Sequence, residues 1–227
     1  DDNASADDIS QVINTDPALT TRLLKIVNSP YYGFPSQIST ISRAITIVGT
    51  SELTQLVLAT SVINAFKGIP EDLIKMEDFW RHSIACAITA NTIAKKCKIP
   101  AAEHFFIAGL LQNIGSLVMY QTVPELAKEA ITSALFGSET IYESERRLLG
   151  FDHSEVGEAL AKKWRLPAAL TETIRHHHTP SEAKLYPIET AIVHLADIMV
   201  TAAGIFGHSG DRHVPRLDPQ AWAELKL

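Results

Sequence analysis

Ala108-Gly109-Leu110-Leu111-Gln112-Asn113-Ile114-Gly115 places two amides at the centre of an apolar run. Read with helical period, the stretch has no polar face. A helix that is hydrophobic nearly all round is buried. A buried amide pair costs stability unless its donors and acceptors find partners. The stretch therefore predicts a core helix whose two central side chains must be hydrogen-bonded.

Nearly every segment around it also has helical period. Asp7 or Asp8 caps a first helix carrying Ile9, Val12 and Ile13, and Asp16-Pro17 starts a second, proline being favoured at the first helical position. That helix ends near Asn28-Ser29-Pro30, ahead of an aromatic loop, Tyr31-Tyr32-Gly33-Phe34-Pro35. Ser39 or Thr40 opens a short helix closed by Gly49, and Thr50 opens a longer one to Phe66, stopped by Gly68-Ile69-Pro70. Further helices are expected over Met76–Cys97, from beyond Pro100 through Tyr120 without interruption, and over Pro124–Phe136. Thr140–Leu149, His153–Trp164, Pro167–His177 and Pro187–Phe206 follow, with a short terminal helix after Pro219. Alternating Val-Ile-Thr runs bounded by hairpin turns are absent. The expected class is all-α, with no internal repeat. A seam near Gly68–Lys75 divides an N-terminal helical part, 1–70, from a helical core and tail, 71–227.

The 227 residues are 46% hydrophobic and 20% charged, as in an ordinary globular protein. A net charge of −6 argues against a nucleic-acid surface. Cys86 and Cys97 lie three helical turns apart, roughly 16 Å at ~1.5 Å per residue, too far for a disulfide. They read as reduced core thiols, consistent with a cytoplasmic protein. No run reaches the roughly 18 apolar residues of a membrane span; His194 and Asp197 interrupt Ala191–Phe206. The acidic start Asp-Asp-Asn-Ala-Ser-Ala is not a secretion signal.

The frame A-G-L-L-x-x-I-G resembles the core of the HD metal-dependent phosphohydrolases, whose two variable positions are a metal-binding His-Asp doublet. Two longer stretches carry a more specific likeness. One is Asp16-Pro-Ala-Leu-Thr through Asn28-Ser-Pro-Tyr-Tyr-Gly33, continuing in Ile38-Ser-Thr-Ile-Ser-Arg-Ala-Ile-Thr-Ile-Val-Gly49. The other is Gly150-Phe-Asp-His153-Ser-Glu-Val-Gly through Trp164-Arg-Leu-Pro167, followed by Ile174-Arg-His-His-His-Thr-Pro180. Over nearly the whole chain these resemble the HDOD domain, the HD-related output domain of bacterial signalling proteins. The resemblance implies an all-α fold, an HD-like multi-helix core with an N-terminal helical subdomain packed on it.

Position by position, the resemblance sets His82 where the first ligand helix supplies a His, and Asp78 where some relatives carry a carboxylate. Gln112 and Asn113 replace the doublet, and Ser116 stands where the HD-GYP relatives have lysine. His153 fits the next His, His176 or His177 the one after, and Asp197 the last carboxylate. An amide oxygen is a far poorer ligand for a divalent ion than carboxylate or imidazole. The loss of both doublet ligands should remove a two-metal site and its activated water. The expectation is no cofactor, with a residual single Fe, Ni or Zn on His82, His153, His176 or His177, and Asp197 as the alternative. A blander reading makes each an inherited core residue held by hydrogen bonds.

Tyr31, Tyr32 and Phe34 are either an exposed interaction loop or a staple folded onto neighbouring helices. The His176-His177-His178 run lies at a helix end, where the dipole favours imidazolium. Ser83, beside His82, points to another helix face and is discounted as a nucleophile. The leading functional expectation is a non-catalytic bacterial signal-transduction module working through protein–protein contacts. Its partners would be signalling proteins or attached sensor and receiver domains. The alternatives are a phosphohydrolase of nucleotides or cyclic dinucleotides, and a pseudoenzyme that binds such a nucleotide.

Overall fold

A computed structural model describes residues 6–28, 32–66, 68–71, 73–100, 103–207 and 213–225. The fold is all-α, with no strand among the described residues. The chain divides into two compact units, Asp1–Ala65 and Phe66–Leu227.

The first unit holds α1 (Ala6–Asn14), α2 (Pro17–Val27), α3 (Ile41–Val48) and α4 (Thr50–Ala65). Asp16 caps α2 through Leu19 N–H at 3.0 Å, as the Asp-Pro pair predicts. Thr40 caps α3, and Gly49, with φ 93°, ends it. Asn28 closes the aromatic loop. Its Oδ1 accepts from Ile38 N at 2.7 Å, while its Nδ2 donates to Ile38 O at 2.8 Å and Leu24 O at 2.7 Å. Tyr32 stacks on Phe34 with ring centroids 5.8 Å apart and donates to Glu52 of α4 at 2.7 Å. Both rings are half-buried. Tyr31 lies outside the described residues.

The second unit holds α5 (Met76–Lys96), α6 (Glu103–Leu111), α7 (Ile114–Thr122), α8 (Pro124–Phe136), α9 (Ile141–Leu149), α10 (His153–Lys163), α11 (Ala168–His176), α12 (Pro187–Ala202) and α13 (Pro219–Glu224). A 3₁₀ turn, Pro180–Glu182, links α11 to α12. Helix α12 is central and packs against α5, α6, α11 and α13; its residues Ala191, Ile192, Val193 and Ala196 are fully buried.

Two expectations are corrected. The helix expected to run through Tyr120 breaks at Gln112-Asn113, where Asn113 takes φ −97° and ψ 17°. Periodicity cannot register this break because both flanking helices stay apolar. The last long helix stops at Ala202 rather than Phe206. Gly204 turns left-handed at φ 79°, and Ile205 N–H closes back on Val200 O at 3.2 Å, the Schellman pattern.

The glycines flanking the amides fix how closely the helices meet. A Cβ on Gly109 would lie 2.8 Å from Cys86 O and 2.9 Å from Ala87 Cα, so α6 lies backbone-to-backbone on α5. A Cβ on Gly115 would lie 1.9 Å from His153 O and 2.5 Å from Gly157 N, so α7 lies still closer on α10. Backbone cannot yield as a flexible side chain can, and over-packing of this kind costs about 1–3 kcal/mol or more. Gly115→Ala should lower the unfolding free energy by at least ~2 kcal/mol in urea titration. An unchanged midpoint would show that the α7–α10 approach is looser than described.

Candidate functional site

The break after α6 aims the two amides at different partners. Gln112 is fully buried, and its Nε2 donates to Asp197 Oδ1 at 2.9 Å. Asn113 faces His177, with Oδ1 3.1 Å from Nε2. Around them lie two clusters of chemistry-bearing side chains, one on α5 and α12, the other on α9, α10 and the end of α11.

In the first cluster His82 and Cys86, four residues apart, share one face of α5. His82 Nε2–H donates to Asp197 Oδ1 at 2.9 Å, and its Nδ1–H donates to Ile205 O at 2.8 Å. The early end of α12 is what brings that carbonyl back. Cys86 Sγ lies 3.3 Å from His82 Nε2 and 3.8 Å from Asp197 Oδ1. Both ring nitrogens of His82 face acceptors, so the ring is an imidazolium. Burial opposes that charge, but the bond to Asp197 and the Cys86 contact outweigh it and push the pKa up to about 11. Burial likewise opposes ionisation of Asp197, and His82 overrides it, holding the carboxyl below its ordinary range. Burial pushes the Cys86 thiol up to about 11.

The second cluster is built on the start of α10. Asp152 caps that helix in a reciprocal capping box with Glu155, which fixes His153 at its first position. Glu145 of α9, almost fully buried, accepts from His153 N at 2.9 Å and from its Nδ1–H at 2.6 Å. His153 Nε2 then lies 2.9 Å from His178 Nε2. Burial works against the imidazolium, yet Glu145 raises the His153 pKa. His177 and His178 are lowered, first by burial and then by neighbouring imidazoles, His177 to about 4. The imidazolium expected from the helix dipole is thus overridden by desolvation. A neutral His177 donates Nδ1–H to Ile174 O at 2.8 Å. Its Nε2 lone pair therefore requires the N–H end of the Asn113 carboxamide.

His82, Asn113, His153, His178 and Asp197 line one pocket, closed on its other sides by Tyr142, Thr201 and Pro215. Its free volume is about 30 Å³. That admits an ion or a water or two, against the hundreds of cubic ångströms of a small-molecule site.

The sequence-derived candidates therefore separate. His82, Asp197, Gln112, Asn113, His153 and His177 are brought together. His176 is not: α11 ends on it, and it faces an outer groove with Nδ1 3.6 Å from Glu182. The turn after α11 swings His178 into the pocket in its place. Asp78 also stays outside, paired with Arg81 at 2.7 Å. Ser83 Oγ bonds back to Phe79 O at 2.9 Å, and Ser116 Oγ is buried without a hydrogen-bond partner among the described residues. His194 donates to His177 O and accepts from Asp218 N, a tie between chain segments.

Cys86, Glu145 and His178 were missed, and two of them had a signal. Glu145 occupies the apolar face of α9 with Ile141 and Ser144, a costly place for an unpartnered charge. His178 is flagged by a short repeat, although the sequence shows no long one. Ala94-Lys-Lys-Cys-Lys-Ile-Pro100 and Ala161-Lys-Lys-Trp-Arg-Leu-Pro167 are each followed by Ala-Ala. Both form the same helix-ending turn, with Lys98 at φ 56° and Arg165 at φ 55°. Each turn leads into a helix with a pocket pair directly past its end. Gln112-Asn113 follows α6, and His177-His178 follows α11.

An HD-type scaffold implies a metal, and the donor sets test it. His82, Cys86 and Asp197 form one group with ligand atoms within 4.8 Å of one another, and His153, His177 and His178 form another. Either suits a single borderline ion. A two-ion hydrolytic centre does not fit this donor chemistry, because the amides Gln112 and Asn113, poor ligands for divalent ions, are the side chains that meet Asp197 and His177.

The fold and this pocket define a helical HD-type scaffold with an amide doublet. The HDOD domain family model matches residues 1–180, and the chain belongs to the HDOD domain family. An uncharacterized protein of Treponema pallidum (strain Nichols) is 28% identical over 172 residues, 75% of this chain. The chain spans about a third of that relative's length, 33%. Among solved structures, an HDOD domain protein of unknown function from Geobacter sulfurreducens superimposes with TM-score 0.83 at 26% identity. It covers 100% of this chain and 77% of its own. A Shewanella amazonensis SB2B protein named as a candidate phosphohydrolase gives 0.77 at 24%, covering 100% and 84%. A Marinobacter aquaeolei VT8 protein named as a candidate signal transduction protein gives 0.78 at 21%, covering 100% and 50%. The last two likenesses show the fold alone.

Removing one partner of a buried ion pair costs about 3–5 kcal/mol, and Asp197→Ala should lose that much in denaturant titration. The His82 contribution has a defined pH sense. Its folded pKa lies above the ordinary 6.5, so its stabilisation is whole below pH 6.5 and is lost as pH rises toward about 11. Wild-type stability should fall across that window more steeply than that of His82→Gln. Parallel curves would refute the charged assignment.

Proposed function

We propose that this chain is a non-catalytic output or regulatory module of a bacterial signalling protein, acting through contacts between its helical surface and partner proteins or attached sensor and receiver domains. One observation carries the reading. Gln112 and Asn113 occupy the doublet positions and are spent on structure, Gln112 on Asp197 and Asn113 on His177. The pocket charges also compensate internally, His82 against Asp197 and His153 against Glu145. Such a pocket reaches neutrality through its own ion pairs, without an added ion. The family supplies the signalling context.

A second reading, metal-dependent phosphohydrolysis of a nucleotide or cyclic dinucleotide, is favoured by the two ligand groups lining one pocket. It requires chemistry without the metal-binding His-Asp doublet that the resemblance places at Gln112-Asn113. The free volume of about 30 Å³ also leaves no room for a nucleotide base, which counts against a nucleotide-binding pseudoenzyme. The two readings separate in a turnover assay. Purified protein supplied with Mn²⁺, Fe²⁺ or Zn²⁺ should hydrolyse neither p-nitrophenyl phosphate esters nor cyclic dinucleotides above the rate of an Asp197→Ala control. Metal-dependent turnover abolished by Asp197→Ala would overturn the proposal.

A further inference from the structure

Cys86 belongs to no part of the pattern carried by the resemblance, yet its sulfur lies against the two best ligand side chains of the pocket. We propose that His82, Cys86 and Asp197, closed by Gln112, form a mononuclear site for a thiolate-tolerant divalent transition ion of the Zn²⁺ class. The site would hold its ion independently of any hydrolytic role, so it goes beyond the signalling reading.

Geometry supports it first. At tetrahedral Zn²⁺, bond lengths of ~2.0–2.3 Å put N and O ligands ~3.3 Å apart, N and S ~3.6 Å, and S and O ~3.5 Å. The observed separations are 2.9 Å for His82 Nε2 to Asp197 Oδ1, 3.3 Å for His82 Nε2 to Cys86 Sγ, and 3.8 Å for Cys86 Sγ to Asp197 Oδ1. Each lies within about 0.4 Å of the tetrahedral edge it would become. Orientation is also in place. His82 Nδ1–H is fixed on Ile205 O at 2.8 Å, the kind of outer hydrogen bond that aims the other ring nitrogen at a metal.

Gln112 provides an independent observation. Its side chain is fully buried, and Oε1 has no hydrogen-bond partner among the described residues. That oxygen is at the other end of the carboxamide from the Nε2 that meets Asp197 at 2.9 Å. Turning the carboxamide about its last bond exchanges Nε2 for Oε1 beside Asp197. The amide that donates in the protonated network then becomes an oxygen ligand.

The exchange balances in charge. Cys86 gives up its S–H proton and His82 its Nε2–H proton, both to solvent, and one divalent cation takes their place. The net charge of the cluster is unchanged, so the pocket passes between the two forms without burying an excess charge. A thiolate ligand selects Zn²⁺, Co²⁺ or Fe²⁺ over Mg²⁺ and Ca²⁺.

The test is cobalt titration of the reduced, metal-stripped protein. Thiolate-to-Co²⁺ charge transfer gives a near-ultraviolet band that imidazole and carboxylate ligands do not. The band should appear at one equivalent, be displaced by Zn²⁺ but not by Mg²⁺, survive Cys97→Ser and vanish in Cys86→Ser. No band in the wild type, or a band that survives Cys86→Ser, would overturn the site. Should Cys86→Ser fail to fold, wild-type protein is alkylated in mild denaturant with and without Zn²⁺, and each cysteine is followed by mass spectrometry. Protection of Cys86 by at least tenfold, with none for Cys97, supports the site; equal labelling of Cys86 with and without Zn²⁺ refutes it. Failure here leaves the signalling reading intact, since that reading is tested by turnover.

Discussion

Two close backbone contacts organise the second unit. Gly109 lets α6 lie directly on α5, and Gly115 lets α7 lie directly on α10. Between those contacts the chain breaks at Gln112-Asn113. The break therefore falls where the helices bearing His82 and His153 are both held against it. A methyl group at either glycine would meet backbone, so the spacing is set by excluded volume rather than by attraction. The pocket follows from that spacing. Its side chains come from several elements, brought together because the backbones beneath them lie as close as glycine allows.

Within the pocket, burial and pairing divide the histidines by charge. His82 and His153 each have a carboxylate partner and carry raised pKa values despite desolvation. His177 and His178 have none and are driven neutral. The same low-dielectric surroundings produce opposite outcomes according to what the second ring nitrogen meets. Gln112 and Asn113 adapt to either neighbour because a carboxamide offers both a donor and an acceptor. An aspartate at the second position would set a negative charge against His177 and alter this balance. Both amides are thus tied into a buried polar cluster, Gln112 to Asp197 and Asn113 to His177.

Much of this was legible from sequence. The cap at Asp16, the helix starts near Thr40, Thr140 and His153, the stop at Gly49, and the all-α class follow from residue chemistry within a few positions. So does the burial of the amide pair. Helix breaks were less legible. The interruption at Gln112-Asn113 has no proline or glycine to mark it, and both sides keep the same apolar pattern. The early end of α12 was marked by Gly204, yet the apolar run beyond it concealed the stop.

By itself the sequence determined the helical segments and the burial of the amide pair, since local propensity and hydrophobic period are properties of short segments. It also held, in the paired Ala-Lys-Lys turns, the information that His177-His178 answers to Gln112-Asn113. Only the tertiary structure decided that His176 faces outward while His178 turns in. It alone brought Glu145 beneath His153 and Cys86 beside Asp197. These pairings join residues that are distant in the chain or lie past a helix end, where direction depends on packing against other elements. No local pattern encodes that packing.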